Sequence, residues 1–313
     1  MIKRTFEELR SAVFGAAETR EEEGVLCFSK TTAEQTEAWR RAAEWIVPNV
    51  LATTGIRLDF HTDSPEIAVE TAGGSKYEVL VDGLLTHQFR PGEGNRRFSF
   101  SLPEGEHRVT IVLPSHLEPG RIRSVETAEG ASFRPHTHRE KILFLGDSIT
   151  QGWNSVYDSL SFAWQVTLGR DADSVIQGIG GAFFLPESVT DFGLKPDTVI
   201  AAWGTNDFSF FRSAEVLSEK AEETFRRIGS IYGDARIYAV TPTWRRDEKT
   251  DRPMGSFALC RETVRAAAER QGIAVIDGYA LYPHRDEFMA DDVHPNDLGF
   301  GQYAANLTRM IWG

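Results

Sequence analysis

Cysteine is scarce in this chain: two thiols, Cys27 and Cys260, stand among 313 residues. Each sits among apolar neighbours and far from the other, so two buried free thiols are expected rather than a disulfide. Long hydrophobic runs are missing as well. No stretch approaches the roughly 18 apolar residues that a membrane-crossing helix needs. The opening Met1-Ile2-Lys3-Arg4-Thr5-Phe6 has basic residues but no apolar core behind them, unlike a secretory signal. These absences set a cytoplasmic location as the expectation. Positive charge is also in short supply, and the net charge of −12 opposes binding to nucleic acid or to an anionic membrane. It argues weakly for a neutral substrate. There is no internal repeat and no low-complexity segment. With 41% hydrophobic and 26% charged residues, the composition is that of a globular protein, and the length suits two domains.

The two parts of the chain differ in period. Residues 1–50 are charged and partly helical in pattern, with Glu34 to Trp45 able to form a short amphipathic turn or helix. From Gly55 to about Phe133, short alternating segments follow one another: Ile56–Phe60, Glu66–Glu70, Tyr77–Val81, Arg97–Leu102 and Arg108–Leu113. Turn signals separate them at Ala72-Gly73-Gly74, Asp82-Gly83, Pro91-Gly92-Glu93-Gly94 and Pro103-Glu104-Gly105. Such spacing predicts an antiparallel, jelly-roll-like β-sandwich over residues 1–138. Beyond it, at 139–313, continuous apolar runs alternate with helical patterns. The runs are Lys141–Gly146, Ser174–Ile179, Thr198–Trp203, Arg236–Val240 and Ile273–Ile276. The helices are expected around Phe162–Leu168, Ala214–Ile231, Ser256–Gln271 and Leu298–Ile311. This alternation predicts an α/β domain with about five parallel strands, both faces covered. In such sheets ligands bind beyond the carboxyl ends of the strands.

Four short segments stand at those ends. Gly146-Asp147-Ser148 follows the first run, and its serine opens a helix whose free N–H groups favour negative charge. The same triplet is also a good N-cap. The glycines of Gly178-Ile179-Gly180-Gly181 let a backbone N–H approach a reacting oxygen, or simply make a tight turn. Asn206 in Gly204-Thr205-Asn206-Asp207 can aim its amide at an oxyanion, or start an Asx-turn. Asp291-Asp292-Val293-His294-Pro295 places a carboxylate three residues before a histidine, where one turn of chain brings it to the imidazole. It would equally serve as an acidic turn before the last helix. Each segment has its bland alternative, but four of them on one rim of one sheet compose an acyl-transfer site.

Those blocks, in that order and across roughly residues 140–313, resemble the SGNH (GDSL) hydrolase family. The resemblance implies a flavodoxin-like sheet and a serine esterase. Ser148 would be the nucleophile, His294 the base and Asp291 its orienting acid. The N–H groups of Ser148 and Gly181, with the Asn206 side chain, would form the oxyanion hole. The strand-rich first part is similar in architecture to the β-sandwich that precedes the catalytic domain in family 2 carbohydrate esterases.

This chemistry requires no metal or cofactor. The nearest metal-like motif, His136-x-His138, falls in the expected interdomain linker and is read as solvated. Asp147, Trp153 and Trp203 are candidates for the substrate pocket, although core packing explains the two tryptophans as well. The strands from Gly55 to Leu113 hold no tryptophan, which favours a structural role for the sandwich over sugar binding. The polar segment Thr241–Pro253 either borders the site or is a surface loop. The expected partner is a small acyl ester, above all an acetylated sugar. An acyltransferase, a lysophospholipase or a thioesterase would use the same groups, and oligomerisation is left open.

Overall fold

The computed structural model describes residues 1–92 and 96–313. Glu93 and Gly94, from the third turn signal, lie outside the described residues. Two antiparallel sheets of six strands each occupy the first part of the chain. One runs in the order Glu18–Glu22, Val25–Ser29, Arg121–Thr127, Glu66–Gly73, Arg97–Ser101. The other runs Arg134–Pro135, Arg57–Thr62, His107–Val112, Tyr77–Val81, Leu84–Phe89. Their inner faces enclose a core of Leu58, Phe60, Ile67, Val69, Val79, Val109, Ile111 and Val125. The hairpin of Glu18–Glu22 with Val25–Ser29 was not expected among the charged first 50 residues. Four apolar residues, Val25 to Phe28, suffice because they are buried against the sandwich core and its edge.

The second part is a five-stranded parallel sheet. Its strands are Glu140–Gly146, Ala172–Gly178, Thr198–Ala202, Arg236–Val240 and Ala274–Ile276, numbered first to fifth in chain order. They lie in the order second, first, third, fourth, fifth, the doubly wound arrangement of a flavodoxin-like fold. Helices Ala214–Tyr232 and Phe257–Arg270 cover one face, and Phe162–Arg170 and Asp297–Trp312 the other. The helical segment expected at Glu34–Trp45 is a helix at Ala33–Ala42, capped by Thr32 and Gln35, followed by shorter turns to Leu51. Its Trp39, with Ile46 and Val50, packs into the core of the parallel sheet rather than into the sandwich. The N-terminal part thus adds to one of the two layers that cover the parallel sheet.

The outward side of the second antiparallel sheet is also buried, against the α/β unit. Its strands alternate as a half-exposed strand would, yet the polar positions Arg57, Asp59, Glu78 and Thr110 have lost water. They survive there because they are paired. Arg108 forks onto both carboxylate oxygens of Asp59 at 2.9 and 2.8 Å, and its third arm reaches Asp171 at 2.8 Å. Arg57 donates to the carbonyl of Ala172 at 2.7 Å. At the other end, Glu78 accepts the N–H groups of Asp158 and Ser159 at 2.6 and 3.0 Å, while Lys76 reaches Asp158 at 2.5 Å.

This junction corrects the reading of His136-x-His138 as solvated linker. The two side chains are only 13% and 4% exposed. His136 Nε2 meets Asp171 at 2.8 Å and its Nδ1 faces His61 Nε2 at 2.9 Å. Burial, and then the charge of Arg57, push the His138 imidazole down to about 3, so it is neutral. Ligating atoms of His136, His138 and Asp171 lie within 4.8 Å of one another. The Arg108 guanidinium already pairs with Asp171, and that of Arg57 lies 3.2 Å from His138 Nε2, so both would oppose a cation.

Replacing Arg108 with alanine leaves the buried Asp59 carboxylate with Arg57 at 3.5 Å as its one charged partner, beside the Thr110 hydroxyl at 3.3 Å and the neutral His138 ring at 3.4 Å. Urea unfolding is expected to show a loss of about 3 kcal/mol, and Asp59→Asn in the same protein should return part of it. A loss below about 1 kcal/mol would mean that the junction does not rest on this pair.

Candidate active site

The first parallel strand ends at Gly146, where a side chain has no room. A Cβ there would stand 2.7 Å from the Ala202 carbonyl and against Thr150. The chain turns at once into the helix Ser148–Gln151, capped by Asp147, whose Oδ1 accepts the Ile149 N–H at 2.9 Å. Gly178, at the end of the second strand, is equally confined. Its Cβ would meet the backbone of Gln151 at 2.3 Å, so the strand end lies directly on this short helix.

The structure brings Ser148, His294 and Asp291 into one line. Ser148 Oγ and His294 Nε2 are 2.8 Å apart. His294 Nδ1 lies 2.8 Å from one oxygen of Asp291 and 3.0 Å from the other. Asp291 also accepts the backbone N–H of Val293 at 2.8 Å and of His294 at 2.7 Å, the one-turn fold expected of the spacing. Burial works against ionisation of Asp291. The N–H groups of His294 and Val293 and the His294 ring outweigh it, and the carboxyl titrates below its ordinary value. An ionised acid therefore faces the imidazole.

The expected oxyanion donors follow the ends of the first three parallel strands. Ser148 begins its helix, so its N–H has no intrahelical acceptor. Gly181 adopts φ +85°, open to glycine and strained for other residues. Asn206 lies on the short helix Thr205–Phe210 after the third strand. One of its amide hydrogens goes to the Ala182 carbonyl at 2.8 Å, leaving the second for a ligand. Arg245, buried in the polar segment Thr241–Pro253, donates to the Thr205 carbonyl at 3.0 Å and holds this helix from beneath. Arg246 donates its N–H to the Asp292 carbonyl at 2.9 Å. That segment therefore borders the site on two sides.

Asp147 and Trp203 do not line the mouth of the site. Both are buried behind the serine, and Trp203 packs on Phe184 in the core. The apolar run of the third strand continues one residue past its end, so Trp203 follows the core. Trp153 is half-buried and does face the site, with its ring 6.4 Å from that of His294 and 5.3 Å from His116.

Several residues of the site carry no motif. Asn154, in the left-handed region at φ 71°, donates to Asp291 at 2.7 Å. Gln151 accepts the Gly180 N–H at 2.6 Å, and Asn49 donates to the Gly180 carbonyl at 3.1 Å. Lys30 is wholly buried and donates to the Gly178 carbonyl and to Thr54, both at 2.8 Å. With no carboxylate to offset desolvation, its amine is held well below the ordinary lysine range. Trp45 lies over Gly181. Three of these, Lys30, Trp45 and Asn49, come from the N-terminal part. Only their contacts across the fold reveal them.

Residues 144–301 match the GDSL-like lipase/acylhydrolase family. The chain belongs to that family, whose members are ester-cleaving enzymes. No curated protein sequence matches it. Among solved structures it is similar to the salicylyl-acyltransferase SsfX3 of a tetracycline biosynthetic pathway, at 20% identity and TM-score 0.81. That match covers 95% of this chain and 92% of the other. It is also similar to a protein of Bacteroides ovatus described as a GDSL-like lipase, at 16% identity and TM-score 0.78, covering 99% and 96%. A family two carbohydrate esterase from Cellvibrio japonicus follows at 17% identity and TM-score 0.70, again covering 99% and 96%. At these identities the likeness establishes the fold, sandwich included. Among the described residues no helix is long and apolar enough to cross a membrane.

Two carboxyl groups stand behind the serine. Burial raises Asp147 from an ordinary 3.8 to about 7, and the Ile149 N–H only partly opposes it. Burial raises Asp207 to about 7 as well, against the N–H of Phe184 and with the nearby Asp147 adding to the rise. Each binds its proton more tightly folded than unfolded. Their contribution to stability is therefore full below about pH 4 and lost as pH rises through 7. In Asp207→Asn the side chain stays neutral and can still accept from Phe184. Urea titrations are expected to show the variant gaining on the wild type between pH 5 and pH 8; parallel curves would contradict the assignment.

Proposed function

We propose that this protein hydrolyses short-chain acyl esters, acetyl above all, of a carbohydrate or a related small hydroxyl compound. The observation that carries the reading is the hydrogen-bonded line from Ser148 through His294 to Asp291. In the first step the Ser148 Oγ–carbonyl carbon bond forms as His294 Nε2 takes the hydroxyl proton. The negative charge moves to the carbonyl oxygen, held by the N–H groups of Ser148 and Gly181 and by the Asn206 amide. The tetrahedral species collapses, the bond to the alcohol oxygen breaks, and His294 returns the proton to that oxygen. Water then repeats the sequence on the acyl-enzyme, releasing the acid and restoring Ser148. Asp291 fixes the tautomer of His294 and balances its transient charge.

Because His294 protonates the departing oxygen, the alcohol lies on the Trp153 side of the serine. A half-buried indole there suits the apolar face of a sugar ring, in keeping with the likeness to family two carbohydrate esterases. Two free thiols, both buried, fit a cytoplasmic setting. A second reading, acyl transfer, is favoured by the likeness to SsfX3 along 95% of the chain. In it an acceptor hydroxyl replaces water on the same acyl-enzyme.

With 4-nitrophenyl acetate, Ser148→Ala is expected to lower kcat about 10⁴-fold or more, and Asp291→Asn about 10³- to 10⁴-fold. Asn154→Ala, which frees one oxygen of Asp291, should lower it about tenfold with little change in KM. Retained activity in Ser148→Ala would end the reading. A stoichiometric burst that turns over only when an alcohol is added would identify the transferase. In an acyl-chain series with straight chains, rates rising steadily beyond about six carbons would exclude the short-chain preference.

A further inference from the structure

Trp45 and Phe210 are the two exposed aromatic side chains beside the oxyanion donors, at 62% and 47% exposure. Trp45 sits on the turn Glu44–Ile46, and its ring edge lies where a Cβ on Gly181 would be, 2.4 Å from that point. Phe210 closes the short helix that carries Asn206. The two rings meet edge to face, centroids 6.0 Å apart and planes at 85°. Phe210 is backed by further rings. Phe183 crosses Phe210 at 88° and 6.2 Å, and the wholly buried Trp39 crosses Phe183 at 83° and 5.7 Å. A ladder of perpendicular contacts thus runs from the core to the oxyanion rim and ends in a bare right-angled corner.

The ester's orientation decides which of its groups meets that corner. The carbonyl oxygen must point to the donors, and the departing oxygen must lie at His294 Nε2. The acyl substituent takes the remaining direction, away from His294. That flank is bordered by the Gly181 turn and by the helix that carries Asn206. Two aromatic faces at a right angle suit a third flat ring, stacked on one and edge-on to the other. Water covering such a corner is readily displaced by an apolar group.

We propose that Trp45 and Phe210 form an acyl-binding corner that selects compact, flat aromatic acyl groups of the benzoyl type. The inference rests on the esterase reading of Ser148 and extends its acyl class beyond acetyl. Trp45 would be a specificity residue donated by the N-terminal part of the chain, with no role in proton transfer.

The test compares 4-nitrophenyl benzoate with 4-nitrophenyl acetate, which share a leaving group, so their kcat/KM ratio reads the acyl side alone. In Trp45→Ala the benzoate-to-acetate ratio is expected to fall about tenfold from the wild-type value, the worth of one ring contact. Trp45→Phe, which keeps a ring, should hold at least half of the wild-type ratio. An unchanged ratio in Trp45→Ala, or equal losses on both esters, would overturn the proposal, the latter because it would reduce Trp45 to a support for the Gly181 turn. If the wild type cleaves neither ester, the reading of Ser148 fails, and the corner is then judged by calorimetric binding of benzoate to the wild type and to Trp45→Ala. Binding weakened about fivefold or more by the substitution upholds the corner. Absent or unaltered binding ends it.

Discussion

The molecule depends on a charged face buried between its two parts. Asp59, Arg57, Glu78 and Thr110 lie on strands whose apolar sides already fill the sandwich core. Their polar sides would be solvated in a free sandwich. Here they are sealed against the α/β unit, and each finds a partner across the boundary or beside it. Removing water from such groups is costly, and only good pairing geometry offsets it. That makes the junction demanding in register. A sandwich displaced by one residue would expose apolar positions and bury unpaired charges together. The mutual position of the two parts is therefore specified well beyond what apolar contact between them would supply.

What that position delivers is the rim of the active site. The turn from Gly178 to Gly181 is held from the sandwich side by Lys30 and Asn49 and from the α/β side by Gln151. Backbone donors act on an oxyanion only if they are already in place when charge develops. A glycine-rich turn left to itself would be the least ordered part of the rim. Here its carbonyls are tied down and its N–H at Gly181 is left over. On the opposite side, Ser115 and His116 bring the sandwich against Asp158 and Trp153, next to His294. Both flanks of the serine are thus shaped by contacts from outside the α/β unit.

Much of this architecture is legible in the residues. The parallel strands announce themselves as apolar runs because both of their faces are covered, and the four rim segments fall where such a sheet binds ligands. The one-turn fold of Asp291 onto His294 follows from a three-residue spacing. The hairpin from Glu18 to Ser29 escaped detection because its outer strand is almost entirely polar and its inner strand too short to show a period. His136 and His138 look like linker residues because nothing local says that a domain closes over them. Lys30 and Asn49 carry no pattern at all. Their partners lie 148 and 131 residues away, and a lysine in a loop reads as solvated until the fold covers it. Trp203 shows the opposite case, where a residue in the right place along a strand faces the wrong way.

The division of labour between the parts has a physical logic. In the α/β unit, the groups that make and break bonds occupy the ends of strands and the first turns of helices. Little variation is tolerated there: Gly146 and Gly178 admit no side chain, and the line Ser148–His294–Asp291 leaves no slack in its hydrogen bonds. Selectivity needs side chains that can be exchanged without disturbing that geometry. Trp45 meets this need. It lies on a surface turn, packs edge to face on Phe210, and overhangs Gly181 from outside the α/β unit. A sheet-rich part placed ahead of the α/β unit can thus set what the serine accepts while the serine itself stays fixed.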